Sequence, residues 1–121
     1  MVLVDTSLWI AHFRLGEPRL AELLDKGVVL VHPYVIGELA CGNLANRAEI
    51  LSLLQSVPQA PLANHDEVLH FIDLRRLMGL GLGYVDVHLL ASAFLASSPL
   101  WTLDRPLKAV AKRIAIVFDP D

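Results

Sequence analysis

The chain has 121 residues, of which 55% are hydrophobic, with a single cysteine and a formal net charge of −3. This length fits one domain, which we expect to span residues 1–121 with a core that needs no disulfides. The single cysteine excludes an intramolecular disulfide framework and a zinc site built on several thiolates. The negative charge argues against simple electrostatic attraction to nucleic acid, because proteins that rely on it usually carry a basic footprint.

The apolar content does not predict a membrane protein. A membrane-spanning helix needs roughly 20 apolar residues, and Asp86 and His88 interrupt the best candidate, residues 85–96. Residues 1–13 carry Asp5 and no basic leader, so we expect no signal peptide and a cytoplasmic location. We interpret the apolar excess as a dense core and a surface that meets another chain.

In the first half of the chain, short β-branched segments alternate with helical patterns. The predicted elements, in chain order, are strand 2–4, helix 6–13, helix 18–27, strand 28–31, helix 34–41 and helix 46–55. Gly16 and Gly27 end the first two helices, and Pro33 opens the third. Residues 58–63 contain two prolines, which restrict any strand there to a short edge strand.

The second half continues the same alternation. Asn64 and Glu67 have the spacing of a capping box, which predicts the start of a helix. The predicted elements that follow are helix 66–78, a glycine-rich turn at 79–83, helix 85–96, strand 100–103, helix 106–113 and strand 114–118. Strands that alternate with helices predict a single three-layer α/β/α domain around a mostly parallel sheet of about five strands. In such sheets, ligands bind beyond the carboxyl ends of the strands, near the point where the strand order reverses.

Four of the thirteen acidic residues stand apart from the polar helix faces. Asp5 and Asp104 each follow a predicted strand, so both should emerge at the same edge of the sheet. Glu38 lies about one turn inside its helix, on a face that we predict to point toward the core. Asp86 begins an apolar helix.

Three of these acids have an alternative role as helix caps. Asp5, Asp86 and Asp104 each precede or begin a predicted helix, and for Asp5 or Asp104 taken singly the cap is the better interpretation. Glu38 cannot be a cap because it lies inside its helix. A buried carboxylate needs a partner, and no basic residue is close to Glu38 in the sequence.

Four carboxylates at one sheet edge repel one another unless their pKa values rise or divalent cations bind between them. An all-oxygen site, without His or Cys at ligand spacing, suits Mg²⁺ or Mn²⁺. Such ions activate water and stabilise the attacking and leaving oxygens in phosphodiester hydrolysis. Bound cations would also attract the substrate phosphate to an acidic protein. Other candidates for contact with a nucleic acid strand are the scattered basic residues Arg14, Arg75, Arg76 and Arg105.

Four sequence blocks, VDTSLWI, GELACG, GYVDVHLLAS and LWTLDRPL, resemble in order and spacing those of the PIN-domain ribonucleases, and in particular the VapC toxins. The family's four acidic positions fall on Asp5, Glu38, Asp86 and Asp104. The resemblance implies that these four are catalytic, coordinate Mg²⁺ or Mn²⁺, and hydrolyse RNA with an activated water. Ser7 and Thr102 match small hydroxyl positions, and we expect each to donate to a carboxylate or to contact a metal-bound water.

The resemblance also implies partners. It predicts an endoribonuclease toxin that forms a homodimer and binds a cognate antitoxin protein, whose C-terminal segment wraps the toxin. A basic side chain of the antitoxin could then silence the acidic site by charge pairing.

Two other interpretations remain open. One is a non-catalytic module whose acids bind the basic segment of a partner. The other is a phosphoacceptor or phosphatase-like domain, although no paired acids end the first strand, no D-x-D follows it, and the last strand lacks a lysine.

Aromatic and histidine residues add little to the prediction. Trp9 and Trp101 lie beside strands in apolar surroundings, so we expect them to pack in the core rather than stack on RNA bases. His88 follows Asp86 by two positions, so on a helix it should point away from that carboxylate.

Overall fold

A three-stranded parallel sheet forms the centre of the fold. The computed structural model describes residues 1–120, and within them the strands are β1 (Val2–Val4), β2 (Val29–Leu30) and β3 (Leu100–Trp101). Their order is β2-β1-β3, with Leu3 opposite Leu30 on one side and Leu100 on the other. Every strand residue is buried, as parallel strands covered on both faces require.

Helices occupy most of the remaining chain. Within residues 1–120 they are α1 (Thr6–Leu15), α2 (Pro18–Asp25), α3 (Pro33–Ala40), α4 (Arg47–Ser56), α5 (His65–Arg75), α6 (Tyr84–Leu95) and α7 (Arg105–Arg113). The chain crosses from β1 to β2 in one direction and from β2 back past β1 to β3 in the other. Because such crossovers are right-handed, the two sets of connecting helices lie on opposite faces of the sheet. The predicted three-layer α/β/α class is therefore confirmed.

The number of strands is smaller than predicted. We expected about five strands. The two segments that we predicted as outer strands, residues 58–63 and 114–118, instead contribute one isolated parallel bridge each. These bridges join Gln59 to Val31 and Val117 to Leu100. Pro58 and Pro61 lack the N–H groups that a longer edge strand would need. At the other edge, Ala115 has a φ of 61°, which places a left-handed turn where the predicted strand 114–118 should begin.

Local signals located several helix boundaries correctly. The predicted capping box begins α5: the Asn64 side chain accepts from the Glu67 N–H at 2.8 Å, and the Glu67 carboxylate accepts from the Asn64 N–H at 2.9 Å.

Trp9 and Trp101 are 0% and 5% exposed, which confirms that both pack in the core. None of the helices in residues 1–120 is long and apolar enough to cross a membrane.

The topology gathers four helix N-termini at one edge of the sheet. Helices α1, α3 and α7 begin directly after β1, β2 and β3, and therefore at the carboxyl ends of those strands. Helix α6 ends shortly before β3 begins, so it runs antiparallel to the strand and starts at the same edge. The strand order reverses at β1, so this edge is where an open α/β sheet binds its ligands.

Candidate active site

Asp5 is the most enclosed acid at the carboxyl edge of the sheet, with a side chain that is 4% exposed. Its Oδ1 accepts hydrogen bonds from the Ser7 hydroxyl at 2.6 Å and from the Leu8 backbone N–H at 3.1 Å. Its Oδ2 accepts from the Thr102 hydroxyl. The bond from Leu8 makes Asp5 the N-cap of α1, so the cap interpretation is correct for this residue. The other two bonds are not needed for capping.

The hydroxyls of Ser7 and Thr102 also fasten the segment that follows β3. Ser7 Oγ accepts from the Leu103 N–H at 3.0 Å, and Thr102 Oγ1 accepts from the Asp104 N–H at 3.0 Å. Each hydroxyl therefore donates to Asp5 and accepts from the backbone beside Asp104. This pair of bridges fixes the distance between the ends of β1 and β3.

Asp104 lies on the exposed side of these bridges. It is the N-cap of α7, with Oδ2 accepting from the Leu107 N–H at 3.0 Å. Its Oδ1 receives no hydrogen bond from the part of the chain that the structure describes.

Asp86 enters the same region from α6. It is half-buried in the first turn of that helix, and its Oδ2 accepts from the Gly83 N–H at 2.9 Å. The carboxylate therefore satisfies a backbone donor at the start of the helix, which is a capping role. Its Oδ1 has no donor within residues 1–120.

Glu38 does not have the burial that the sequence predicted. The side chain is exposed, because the face of α3 that packs on the core consists of Val35 and Leu39. Glu38 precedes Leu39 by one position, which turns its side chain by roughly 100° away from that face. It is nevertheless at the site, since its Oε1 accepts from the Thr6 hydroxyl at 2.6 Å at the start of α1. The sequence offered no signal for this contact between residues 32 positions apart.

Electrostatic interactions join the four carboxylates into one group. Burial raises the pKa of Asp5 above its ordinary value, three hydrogen bonds partly offset this, and the charge of Asp104 raises it further. Burial also raises the pKa of Asp86, with the Gly83 N–H opposing it and the charges of Asp104 and Glu38 adding to it. The structure thus brings together all four acids that the sequence singled out.

Nothing in the described chain neutralises this group. Within residues 1–120, none of the four carboxylates forms an ion pair with a lysine, arginine or histidine. The same residues contain no set of three or more His, Cys, Asp or Glu side chains already arranged to hold a metal ion.

The candidate basic residues divide into two groups. Arg105 begins α7 beside Asp104, and Arg14 lines a groove next to Glu38. Arg75 and Arg76 lie at the other end of α7, where their carbonyls accept from the Arg113 guanidinium at 2.7 Å and 3.4 Å. Since α7 is 9 residues long, Arg75 lies about 13 Å along the helix from the acidic edge.

A buried histidine pair, His32 and His88, lies between β2 and α6. The two side chains are 0% and 2% exposed, and their ring centroids are 6.2 Å apart. His32 Nδ1 accepts from the Tyr34 N–H at 3.0 Å, which caps α3. Burial and the charge of His88 lower the pKa of His32 to about 4, and burial also lowers the pKa of His88. Both rings are therefore neutral at pH 7.

The fold and the grouped carboxylates define an α/β domain with an acidic site at the switch point of its sheet. A profile of the PIN domain family matches residues 2–113. Ribonuclease VapC32, from two strains of Mycobacterium tuberculosis, is 49% identical over 119 residues, which cover 98% of this chain and 96% of the relative. The chain therefore belongs to the PIN-domain family, as a VapC-type member.

A solved structure supports the fold independently. The crystal structure of PAE2754 from Pyrobaculum aerophilum matches with a TM-score of 0.60 and covers 94% of this chain and 88% of that one. The sequence identity is 21%, so this likeness shows the fold alone.

Proposed function

We propose that this protein is the toxin of a toxin–antitoxin module and acts as a Mg²⁺- or Mn²⁺-dependent endoribonuclease. The carrying observation is the group of four carboxylates, two of them with raised pKa values, that no basic side chain of residues 1–120 neutralises. The 49% identity to a protein named Ribonuclease VapC32 supports RNA as the substrate class.

The donor set fits a divalent cation. The candidate ligands are oxygens alone, which suits Mg²⁺ and Mn²⁺. A cation would offset the burial and the repulsion that raise the pKa values of Asp5 and Asp86. Asp104 and Glu38 are exposed, so core packing does not prevent their side chains from rotating toward an ion.

The chain's own residues contribute placement. Three hydrogen bonds fix Asp5, and the Gly83 N–H orients Asp86, so these two are the preorganised ligands. Glu38 and Asp104 complete the set from the exposed side. When bound, Mg²⁺ or Mn²⁺ lowers the pKa of a water molecule and offsets the charge that develops on the phosphate.

We extend the proposal to an antitoxin partner. An apolar groove beside Glu38 is lined by Ile10, Phe13, Leu39 and Leu44. Its composition suits an apolar segment of the antitoxin, and a basic side chain on that segment could pair with Glu38. The groove supports the predicted mode of silencing.

A homodimer is the second partner that we propose. Helices α5 and α6 form another apolar groove, lined by Phe71, Leu74, Phe94 and Leu95 among others. Leu74 is 65% exposed and Leu95 is 52% exposed. A surface of this kind usually meets another chain.

Cleavage of RNA by the purified protein tests the proposed activity. We expect an end-labelled RNA pool to be cut with Mn²⁺ and left intact with excess EDTA or in Asp86→Asn. The matched control is Asp25→Asn, because Asp25 is an exposed acid at the end of α2 and should be dispensable. Cleavage that persists in Asp86→Asn would contradict the site assignment.

Thermal unfolding gives a readout that does not depend on activity. A ligand at a concentration 100 times its Kd stabilises the folded state by about 2.7 kcal/mol, so Mn²⁺ should raise the melting temperature. This shift should be lost in Asp86→Asn and kept in Asp25→Asn. Tight partner binding, with neither a metal-induced shift nor cleavage of any RNA, would instead favour the non-catalytic binding module.

A further inference from the structure

Two tyrosines expose large parts of their rings beside the acidic group. Tyr34 is 40% exposed and Tyr84 is 45% exposed. Tyr34 lies in the first turn of α3, and Tyr84 is the first residue of α6. Both helices begin at the carboxyl edge of the sheet, so the two rings share that edge with the four carboxylates.

Histidines hold both tyrosine rings in place. Tyr34 packs edge-on against His32 and His88, with centroid distances of 4.8 Å in both pairs. Tyr84 packs edge-on against His88 at 4.6 Å, and its hydroxyl lies 2.5 Å from His65 Nδ1. Each ring is therefore supported on two sides while it faces solvent on another. A rigid, partly exposed aromatic ring binds a ligand at low cost in conformational entropy.

The tyrosines lie on the two helices that carry Glu38 and Asp86. Tyr34 precedes Glu38 by four residues, one turn away on the same face of α3. Tyr84 begins the turn of α6 that carries Asp86, although the spacing of two positions turns their side chains to different faces of the helix. Since the charge of Glu38 acts on Asp86, the two helices approach each other here.

An uncharged source of affinity for RNA at this edge would add to bound cations and to the nearby Arg14 and Arg105. The protein carries a net charge of −3, and the acids at the site repel phosphate groups. Stacking of bases on aromatic rings is independent of that repulsion and tolerates any base. The tryptophans cannot supply it because both are buried, and Phe94 has the Arg75 guanidinium 4.7 Å from its ring centroid.

We propose that Tyr34 and Tyr84 form an aromatic platform that stacks on unpaired nucleobases of RNA next to the phosphate held at the acidic site. This inference rests on the proposed ribonuclease function and adds a binding element to it. The platform favours single-stranded segments and loops, since the base faces of a duplex are already stacked.

Binding measurements on a cleavage-deficient background test the platform. The background is Asp86→Asn, and the probe is a fluorescein-labelled pool of random single-stranded RNA. Tyr34→Leu and Tyr84→Leu should each weaken binding by roughly 5- to 100-fold, the range expected for the loss of one base stack. Tyr34→Phe keeps the ring and should bind as the background does. Tyr84→Phe keeps the ring but loses the contact of its hydroxyl with His65 Nδ1, so it should bind more tightly than Tyr84→Leu and no more tightly than the background. Leu69→Ala is the control for removing a large apolar side chain of similar exposure, 44%, because Leu69 lies on α5 and lines neither of the two proposed grooves.

Two further measurements separate stacking from an indirect structural effect. An oligouridylate that contains one 2-aminopurine should lose fluorescence when saturated with the background protein, and each Leu variant should quench it less. An abasic RNA backbone should bind the background protein more weakly than intact RNA does, by at least the roughly 5- to 100-fold expected for the loss of one base stack. This last comparison uses no platform variant, so it holds even if a Leu variant folds poorly.

The outcomes distinguish this inference from the function on which it rests. Leu variants that bind and quench like the background would overturn the platform, while metal-dependent cleavage by the wild type would still support the nuclease. Equal binding of abasic and intact RNA would overturn the platform as well. If the wild-type protein neither bound nor cut RNA with Mn²⁺, both proposals would fail together.

Discussion

The acidic group and the histidine pair lie at neighbouring strand ends, and each buries ionisable side chains, but the surroundings differ. Asp5 receives bonds from two hydroxyls and a backbone N–H, which together favour the charged carboxylate. His32 and His88 are packed against tyrosine rings, and three of their four ring nitrogens have no partner within residues 1–120. Hydrogen-bond donors preserve a charge where they are aimed at it, whereas aromatic packing leaves only the neutral form. One region is therefore suited to binding a cation, and the other to supporting rings.

The largest expected effect is on ribonuclease activity and comes from a change in the acidic group. Asp5→Asn should lower ribonuclease activity by roughly 100-fold or more, as the loss of one preorganised electrostatic group does elsewhere. In metal-free buffer the melting temperature should change little, because relief of the burial that raises the pKa of Asp5 offsets the loss of one hydroxyl bond, which the amide NH₂ of asparagine cannot accept. Paired kinetic and melting measurements check both halves. A strong fall in melting temperature would show that Asp5 is a structural residue.

The second prediction concerns the histidine pair and the dependence of the protein's stability on pH. The pKa of His32 falls from 6.5 to about 4 on folding, so the folded state resists its protonation. The corresponding stability is fully present above pH 6.5 and is lost as the pH falls toward 4, a change of about 3 kcal/mol. Denaturant unfolding at pH 7 and pH 4 measures it. His88 acts in the same direction, while the raised pKa values of Asp5 and Asp86 act in the opposite one.

A matched pair of variants isolates the contribution of His32. His32→Asn keeps a side chain that can cap α3 but cannot take up a proton in this range, so the dependence on pH should be flatter. His70→Asn is the control, because His70 is exposed on α5. Equal slopes in wild type and His32→Asn would contradict the prediction.

How much could be foreseen from the sequence depended on whether a feature is local or topological. Asp5 and Asp104 could be placed together because each directly follows a parallel strand, and the ends of such strands share an edge. The capping box at Asn64 and Glu67 was equally readable, since its two hydrogen bonds lie within four residues. Four acids in family blocks then identified the candidate site.

The features that could not be predicted from the sequence depend on packing between segments that are distant in the chain. Glu38 was expected to be buried, but the rotation of α3 about its axis is set by how Val35 and Leu39 meet the core. The sequence also did not predict that His32 and His88 support the exposed tyrosines, because these four residues come from two separate helices and the N-cap of one of them. The two outer strands are reduced to single bridges for a similar reason: the structure of a short edge segment depends on how it packs against its neighbours.

The smallest expected effect on the acidic group comes from a change at Thr102, which tests the orientation of Asp5. Its hydroxyl donates to Asp5 and accepts from the Asp104 N–H, so Thr102→Val removes both bonds with little change in volume. Loss of a residue that orients a metal ligand typically costs 10- to 100-fold in activity or metal affinity. We expect a loss of about that size, with more Mn²⁺ needed for half-maximal cleavage. Thr102→Ser keeps the hydroxyl and should retain most of the activity. If Thr102→Val and Thr102→Ser lost activity equally, packing of the methyl group would be responsible, and the orientation of Asp5 would not depend on this hydroxyl.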